Sequence, residues 1–249
     1  MLKDARVIFI SGIGGIATSG LARLLKARGA EVSGSDLEGS PVTQALEREG
    51  FAVKLGSPQA ENLPEGCEVL VYSVAVPESN PERVAARKLG IPELAYPEAM
   101  GEITSAYELV AVAGTNGKTT TTAMLGEIMA EAGLDPTVLV GSVVRSWQSN
   151  VRAGKGAHFV LEADEYRRAF LHYSPVVAVV TNIQADHLDY FRDFDDVKNA
   201  FREFISRIKP GGCLVYNAAD DVAARLARES NVRAVSFATY QPATVNPQS

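Results

Sequence analysis

The chain has 249 residues, 46% of them hydrophobic, which is enough apolar material for a packed core in one large domain or two of ordinary size, and two are expected. With 24 basic and 30 acidic residues its formal charge is −6, a balance that favours solubility and speaks against a nucleic-acid partner. It passes from Met1-Leu2-Lys3-Asp4 into a predicted strand with no charged leader or cleavage site and has no run of about 18 apolar residues, so a cytoplasmic protein without a membrane partner is expected.

Residues 6–10 predict a strand, and Ser11-Gly12-Ile13-Gly14-Gly15-Ile16-Ala17 a glycine turn that opens a helix ended by Gly29. Residues 31–35 predict a second strand finishing at Asp36. The segment satisfies Gly-x-Gly-x-x-Ala followed about 20 residues later by an acid, the dinucleotide fingerprint. It implies a Rossmann-like unit with a phosphate or diphosphate at the helix N-terminus, without saying which diphosphate. Asp36 is placed either to hold a ribose hydroxyl or to cap the following loop. Helices over 41–49, 81–89 and 97–103 alternate with strands over 51–54, 68–74 and 93–95, which predicts a small doubly wound sheet. Cys67 and Cys213 have no Cys-x-x-Cys neighbour or nearby histidine and read as small core hydrophobes. A boundary at 104–107 gives a first domain over 1–105 and a second over 106–249.

The second domain is organised around the valine-rich run 109–113 and the stretch Gly114-Thr115-Asn116-Gly117-Lys118-Thr119-Thr120. The run is too short for a helix and reads as a buried parallel strand. Glycines at 114 and 117 let the backbone turn sharply and aim N–H groups at one anion. A helix from Lys118 to about 132 adds the positive end of its dipole, and the lysine adds a full charge. The result is a polyphosphate cradle of the P-loop type, shorter than the general Gly-x-x-x-x-Gly-Lys-Thr, with the Thr119 hydroxyl placed to meet a magnesium ion.

Further on, 136–140 predicts a strand and 141–156 a long loop or hairpin over a site. Strands over 158–161 and 175–181 stop at Glu162-Ala163-Asp164-Glu165-Tyr166 and Asn182-Ile183-Gln184-Ala185-Asp186-His187-Leu188-Asp189. Ligands of open α/β sheets bind beyond such strand ends, so three strands deliver polar tips to one edge. His158 and His172 lack this setting and read as structural. An amphipathic helix over 195–208, a strand over 213–216, a helix over 220–228 and a strand over 232–237 complete the pattern, and the last dozen residues are aperiodic.

The glycine–lysine turn, Glu-Ala-Asp-Glu and Asn-Ile-Gln-Ala-Asp-His-Leu-Asp together resemble the central ATP-binding domain of the Mur ligases of peptidoglycan synthesis. Gly12-Ile13-Gly14-Gly15 with Ser33-Gly34-Ser35-Asp36 is similar to the UDP-sugar domain of its UDP-N-acetylmuramate:L-alanine branch, and Tyr166 looks like the related murein peptide ligase. The resemblance implies an ATP-dependent carboxylate–amine ligase that joins L-alanine or a peptide to UDP-N-acetylmuramate through an acyl phosphate. It further implies that Gly114, Thr115, Asn116, Gly117, Lys118, Thr119 and Thr120 bind ATP. Gly12, Ile13, Gly14, Gly15 and Asp36 would bind the UDP-sugar. Lys118, Glu162 and His187 would be catalytic, with Thr119, Glu162 and His187 holding Mg2+. Compared with that family the chain is expected to stop before the C-terminal domain. Its alternatives are a catalytically weak nucleotide-binding module and, from the first glycine turn alone, an NAD-dependent oxidoreductase. A homo-oligomer is compatible with the sequence.

Overall fold

The first unit grows outward from β1 (Val7–Ser11), whose Ile8, Phe9 and Ile10 are fully buried. In chain order it continues with α1 (Ile16–Ala27), β2 (Glu31–Asp36), α2 (Pro41–Arg48), β3 (Ala52–Leu55), β4 (Val69–Tyr72), α3 (Pro81–Lys88), β5 (Glu93–Ala95) and α4 (Tyr96–Thr104). These strands make an all-parallel sheet of order β3-β2-β1-β4-β5. The order reverses between β1 and β4, which opens a crevice beyond Ser11 and Tyr72. The helix starts are written locally. Ser40 and Thr43 close a capping box ahead of Pro41, and Asn80 accepts from Glu82 and Arg83 ahead of Pro81.

The computed structural model describes residues 1–238, and the aperiodic tail over 239–249 lies outside them. The second unit comprises β6 (Glu108–Ala113), α5 (Lys118–Glu131), β7 (Thr137–Val144), β8 (Ser149–Arg152), β9 (His158–Glu162), β10 (Val177–Val180), α6 (Phe194–Ser206), β11 (Cys213–Asn217), α7 (Asp221–Glu229) and β12 (Arg233–Phe237). Its sheet has the order β12-β11-β10-β6-β9-β7-β8, parallel except for the β7–β8 hairpin. The segment 141–156, expected as loop or hairpin, is therefore a hairpin whose first strand runs on to Val144. Cys213 is half-buried at the start of β11 rather than a core residue.

β6 sits between β9 and β10, with Val112 beside Glu162 and Ala113 beside Val180. That register makes Gly114, Ala163 and Thr181 leave the sheet side by side. One apolar cluster joins both units, from Leu21 and Leu24 on α1 through Leu139 and Val151 to Phe201 and Phe204 on α6. At the junction α1 lies against the β7–β8 hairpin. Asn150, fully buried on β8, donates to the Ile16 carbonyl at 2.6 Å and accepts from Arg23 Nη1 at 2.9 Å. A Cβ at Gly20 would lie 2.6 Å from that Asn150 amide nitrogen, so only glycine admits the approach. No helix among the described residues is long and apolar enough to cross a membrane.

Candidate active site

After β6 the chain turns through Gly114 (φ +135°) and Gly117 (φ +82°), values that residues with side chains rarely adopt. Gly114 has a second constraint, since a Cβ there would lie 2.1 Å from Thr181 Oγ1, while at Gly117 it would meet nothing within 4 Å. The segment after β10 braces the turn. Thr115 N–H donates to the Asn182 carbonyl at 3.0 Å and Asn116 N–H to Asn182 Oδ1 at 2.9 Å. In return Asn182 Nδ2 and Thr181 Oγ1 donate to the Asn116 carbonyl at 2.9 and 2.7 Å. The amides of Thr115 and Asn116 are thus committed to the brace. Those of Gly117, Lys118, Thr119 and Thr120 have no acceptor among the described residues, and they stand at the positive end of α5. The open part of the cradle is narrower than the stretch 114–120.

Lys118 Nζ donates to the Gly114 carbonyl at 2.7 Å and lies 2.9 Å from Glu165 Oε2. Glu165 is only 1% exposed, and its Oε1 has no hydrogen-bond partner among the described residues. Burial pushes the Glu165 carboxyl above its ordinary range, and the Lys118 ammonium opposes that push. Beside this pair, Thr119 Oγ1 donates to Glu162 Oε1 at 2.9 Å while Glu162 Oε2 accepts from Gly141 N–H at 2.6 Å. The carboxylate at the tip of β9 is therefore held between α5 and β7. Asp164, Glu165 and His187 each bring one ligand atom within 4.8 Å of the others. His187 has a left-handed backbone (φ +52°), and its ring centroid is 4.8 Å from that of Tyr166. Carboxylates with a hydroxyl suit a hard divalent cation, and a buried carboxylate oxygen without a partner is the kind of atom a cation or its water satisfies.

Over the first sheet's crevice lies a cavity of about 680 Å³ lined by Gly12, Gly14, Gly15, Asp36 and Ser73. Ile13, grouped with these glycines in the sequence, is turned into the core and does not line it, because its alternate side faces the apolar cluster. The turn's own amides are largely used: Gly12 and Ile13 donate to the Ser35 carbonyl at 2.8 and 2.9 Å, and Gly14 to Asp36 Oδ2 at 2.8 Å. Asp36 also accepts from Leu37 N–H at 2.8 Å, so its carboxylate caps both the turn and its own loop. The donors left open are the first amides of α1, from Ile16 to Thr18, among the described residues. Beneath the crevice Glu82, fully buried, accepts from the hydroxyls of Ser11 and Ser35 and from Asn62 Nδ2. A second cavity of about 400 Å³ lies between the units, lined by Ile16 and Val74 of the first and by Glu162 and Asp164 of the second.

This arrangement has counterparts among known proteins. Residues 7–108 match the Mur ligase family catalytic domain, and residues 112–248 match the Mur ligase middle domain. The chain belongs to the Mur ligase family. It is 43% identical over 220 residues to the UDP-N-acetylmuramate–L-alanine ligase of Agathobacter rectalis, which covers 88% of this chain and 48% of that protein. Among solved structures it resembles the UDP-N-acetylmuramate:L-alanyl-gamma-D-glutamyl-meso-diaminopimelate ligase of Neisseria meningitides with a TM-score of 0.85 and 29% identity, over 94% of this chain and 78% of that one. It likewise resembles the UDP-N-acetylmuramate–alanine ligase of Thermotoga maritima with a TM-score of 0.81 and 28% identity, over 94% of this chain and 53% of that one. The chain spans about half the length of the curated relatives it matches. Mur ligase membership sets aside the NAD-dependent oxidoreductase reading of the first glycine turn.

Several parts of this Mur ligase site were not singled out in its sequence. Glu165 is there one more acid of the run Glu162-Ala163-Asp164-Glu165, and nothing local signals that it is buried against Lys118. Glu82 lies in an ordinary-looking Pro-Glu-Arg helix start, while Asn150 is one polar residue in a polar hairpin. His172, read as structural, lines the second cavity, and His158 pairs with Glu108 at 3.1 Å where β9 and β6 begin, at the opposite end of the strands. Only the alignment of strand tips by the β10-β6-β9 order brings Lys118, Thr119, Glu162, Glu165 and His187 into one neighbourhood.

Proposed function

We propose that residues 1–105 bind a UDP-sugar and residues 106–249 bind ATP with Mg2+, as part of a cytoplasmic ligase that joins L-alanine or a peptide to UDP-N-acetylmuramate in peptidoglycan synthesis. The observation that carries this reading is the second cavity, which is lined both by Ile16 and Ala17 at the N-terminus of α1 and by Glu162, the acceptor of the Thr119 hydroxyl. A sugar nucleotide seated over the first crevice would reach its carboxylate through that passage to the terminal phosphoryl of ATP. The carboxylate oxygen attacks the γ-phosphorus, ADP leaves, and an amine then displaces phosphate from the acyl carbon. Each step gathers negative charge, so the protein must supply cations and donors fixed beforehand.

In this reading the amides of residues 117–120 and Lys118 take the phosphates, and the Asn182 brace keeps the turn from rearranging. Thr119 and Glu162 would hold one Mg2+, and His187 with Asp164 or Glu165 a second; bound there, the ions neutralise phosphoryl oxygens. For Lys118 to meet a phosphate it has to loosen its contact with Glu165. The test is phosphate release from ATP. Release that requires both UDP-N-acetylmuramate and an amine, L-alanine or peptide, supports the ligase. Binding of both nucleotides without release would leave a nucleotide-binding module in its place, and binding of neither would overturn both.

A further inference from the structure

The two cavities meet at a seam. Gly15, Ser73 and Ala75 line the first, and their chain neighbours Ile16 and Val74 line the second. Arg167 hangs over this join from the other unit, donating through Nη1 to the Val74 carbonyl at 2.9 Å and lining the second cavity. Its backbone is left-handed (φ +51°), a conformation that costs a non-glycine residue about 1 kcal/mol. Arg168 shares the conformation (φ +57°), but its guanidinium is occupied by Asp196 at 2.8 Å. No carboxylate lies within 4 Å of the Arg167 guanidinium among the described residues, and the side chain is exposed. The other charged groups on the second cavity, Glu98, Glu162 and Asp164, are acidic. An acid moving from the first crevice toward β9 therefore faces a negative wall, relieved at one place by a guanidinium whose remaining N–H groups form a fork suited to a carboxylate.

We infer that Arg167 is a binding residue for the carboxylate of the sugar nucleotide and selects the acid-bearing sugar over its neutral counterpart. The inference rests on the proposed reading of the two cavities. The test is calorimetric titration of the whole chain with UDP-N-acetylmuramate and with UDP-N-acetylglucosamine, which lacks the carboxylate-bearing ether. The wild type is expected to prefer the former, and Arg167→Ala to weaken it by about tenfold, the loss of one charge-assisted contact, while leaving the latter and ATP unchanged. Arg167→Asn, which tolerates a left-handed backbone, gives the same comparison should the alanine variant fail to fold. Equal loss for both sugars would assign Arg167 to the diphosphate or to the fold, and no loss for either would remove it from the site; both outcomes overturn the inference while the proposed function stands. Failure of the wild type to bind either sugar would sink that function, and this inference with it.

Discussion

The ammonium of Lys118, at the start of α5, stands 2.9 Å from the carboxylate of Glu165, a residue 1% exposed at the tip of a different strand. The pair couples the glycine–lysine turn to the acids beyond β9. Removing one member leaves the other without its counter-charge in a desolvated place, which costs about 3 kcal/mol or more. Lys118→Met should therefore lower stability by roughly that amount in denaturant titrations and abolish nucleotide binding. Adding Glu165→Met should restore most of the stability without restoring binding. A Lys118→Met protein as stable as the wild type would show that the pair contributes nothing to the fold.

The two glycines of the turn should respond differently to alanine. At Gly114 the new Cβ meets Thr181 Oγ1 at 2.1 Å and the Asn182 carbonyl at 2.9 Å, so the brace has to break; a loss of several kcal/mol, about 3 or more, is expected together with loss of ATP affinity. At Gly117 there is open space, and Gly117→Ala should cost only the left-handed strain, about 1 kcal/mol. Thermal unfolding of the two variants side by side measures the difference. Equal effects would mean that the turn relaxes freely.

Magnesium dependence should separate Thr119 and His187 from the fold. Thr119→Ala removes one donor to Glu162 and should cost about 1 kcal/mol of stability, while reducing the Mg2+-dependent part of ATP binding more than the Mg2+-free part. His187 is half-exposed, and His187→Ala should change stability by less than about 1 kcal/mol and act mainly on Mg2+-dependent turnover. Titrations with ATP in Mg2+ and in chelator decide the first. A melting temperature many degrees lower for His187→Ala would make that residue structural.

Stability should carry a pH signature from Glu93. Arg83, stacked 3.6 Å over the Tyr72 ring, grips Glu93 through Nε and Nη2 at 3.1 and 3.0 Å. That hydrogen bonding holds the Glu93 carboxyl below its ordinary value of 4.5. The folded state thus gives up this proton more readily than the unfolded one, so the stabilisation is complete above pH 4.5 and is lost as pH falls through the lower folded value. Glu93→Gln should be about 1 kcal/mol less stable than wild type at pH 7, and the gap should close in acid. A gap constant from pH 7 to pH 3 would contradict the assignment.

The periodicities that specify each element were legible in the chain, because strand alternation, caps and glycine breaks are local. Gly114 to Thr119 could be read as a phosphate turn for the same reason: its mechanism needs residues adjacent in sequence. The pairing of Thr119 with Glu162 was less accessible, since 43 positions separate them and only the β6–β9 register sets them 2.9 Å apart. Asn182 shows the limit most plainly. In sequence it is one polar residue of the run after β10, and nothing local signals that its amide group is spent bracing Asn116.

The sequence by itself determined which segments become strands and helices, where the glycine–lysine turn opens a helix, and which strand ends carry acids, all properties of short stretches with their own hydrogen bonds and apolar faces. Only the tertiary structure decided which of those ends are neighbours, that Glu165 is buried against Lys118, that Ile13 faces inward, and that Arg167 overhangs the seam. Those are consequences of strand order and of one unit's helix docking on the other's hairpin, contacts between residues far apart along the chain whose burial no local pattern encodes.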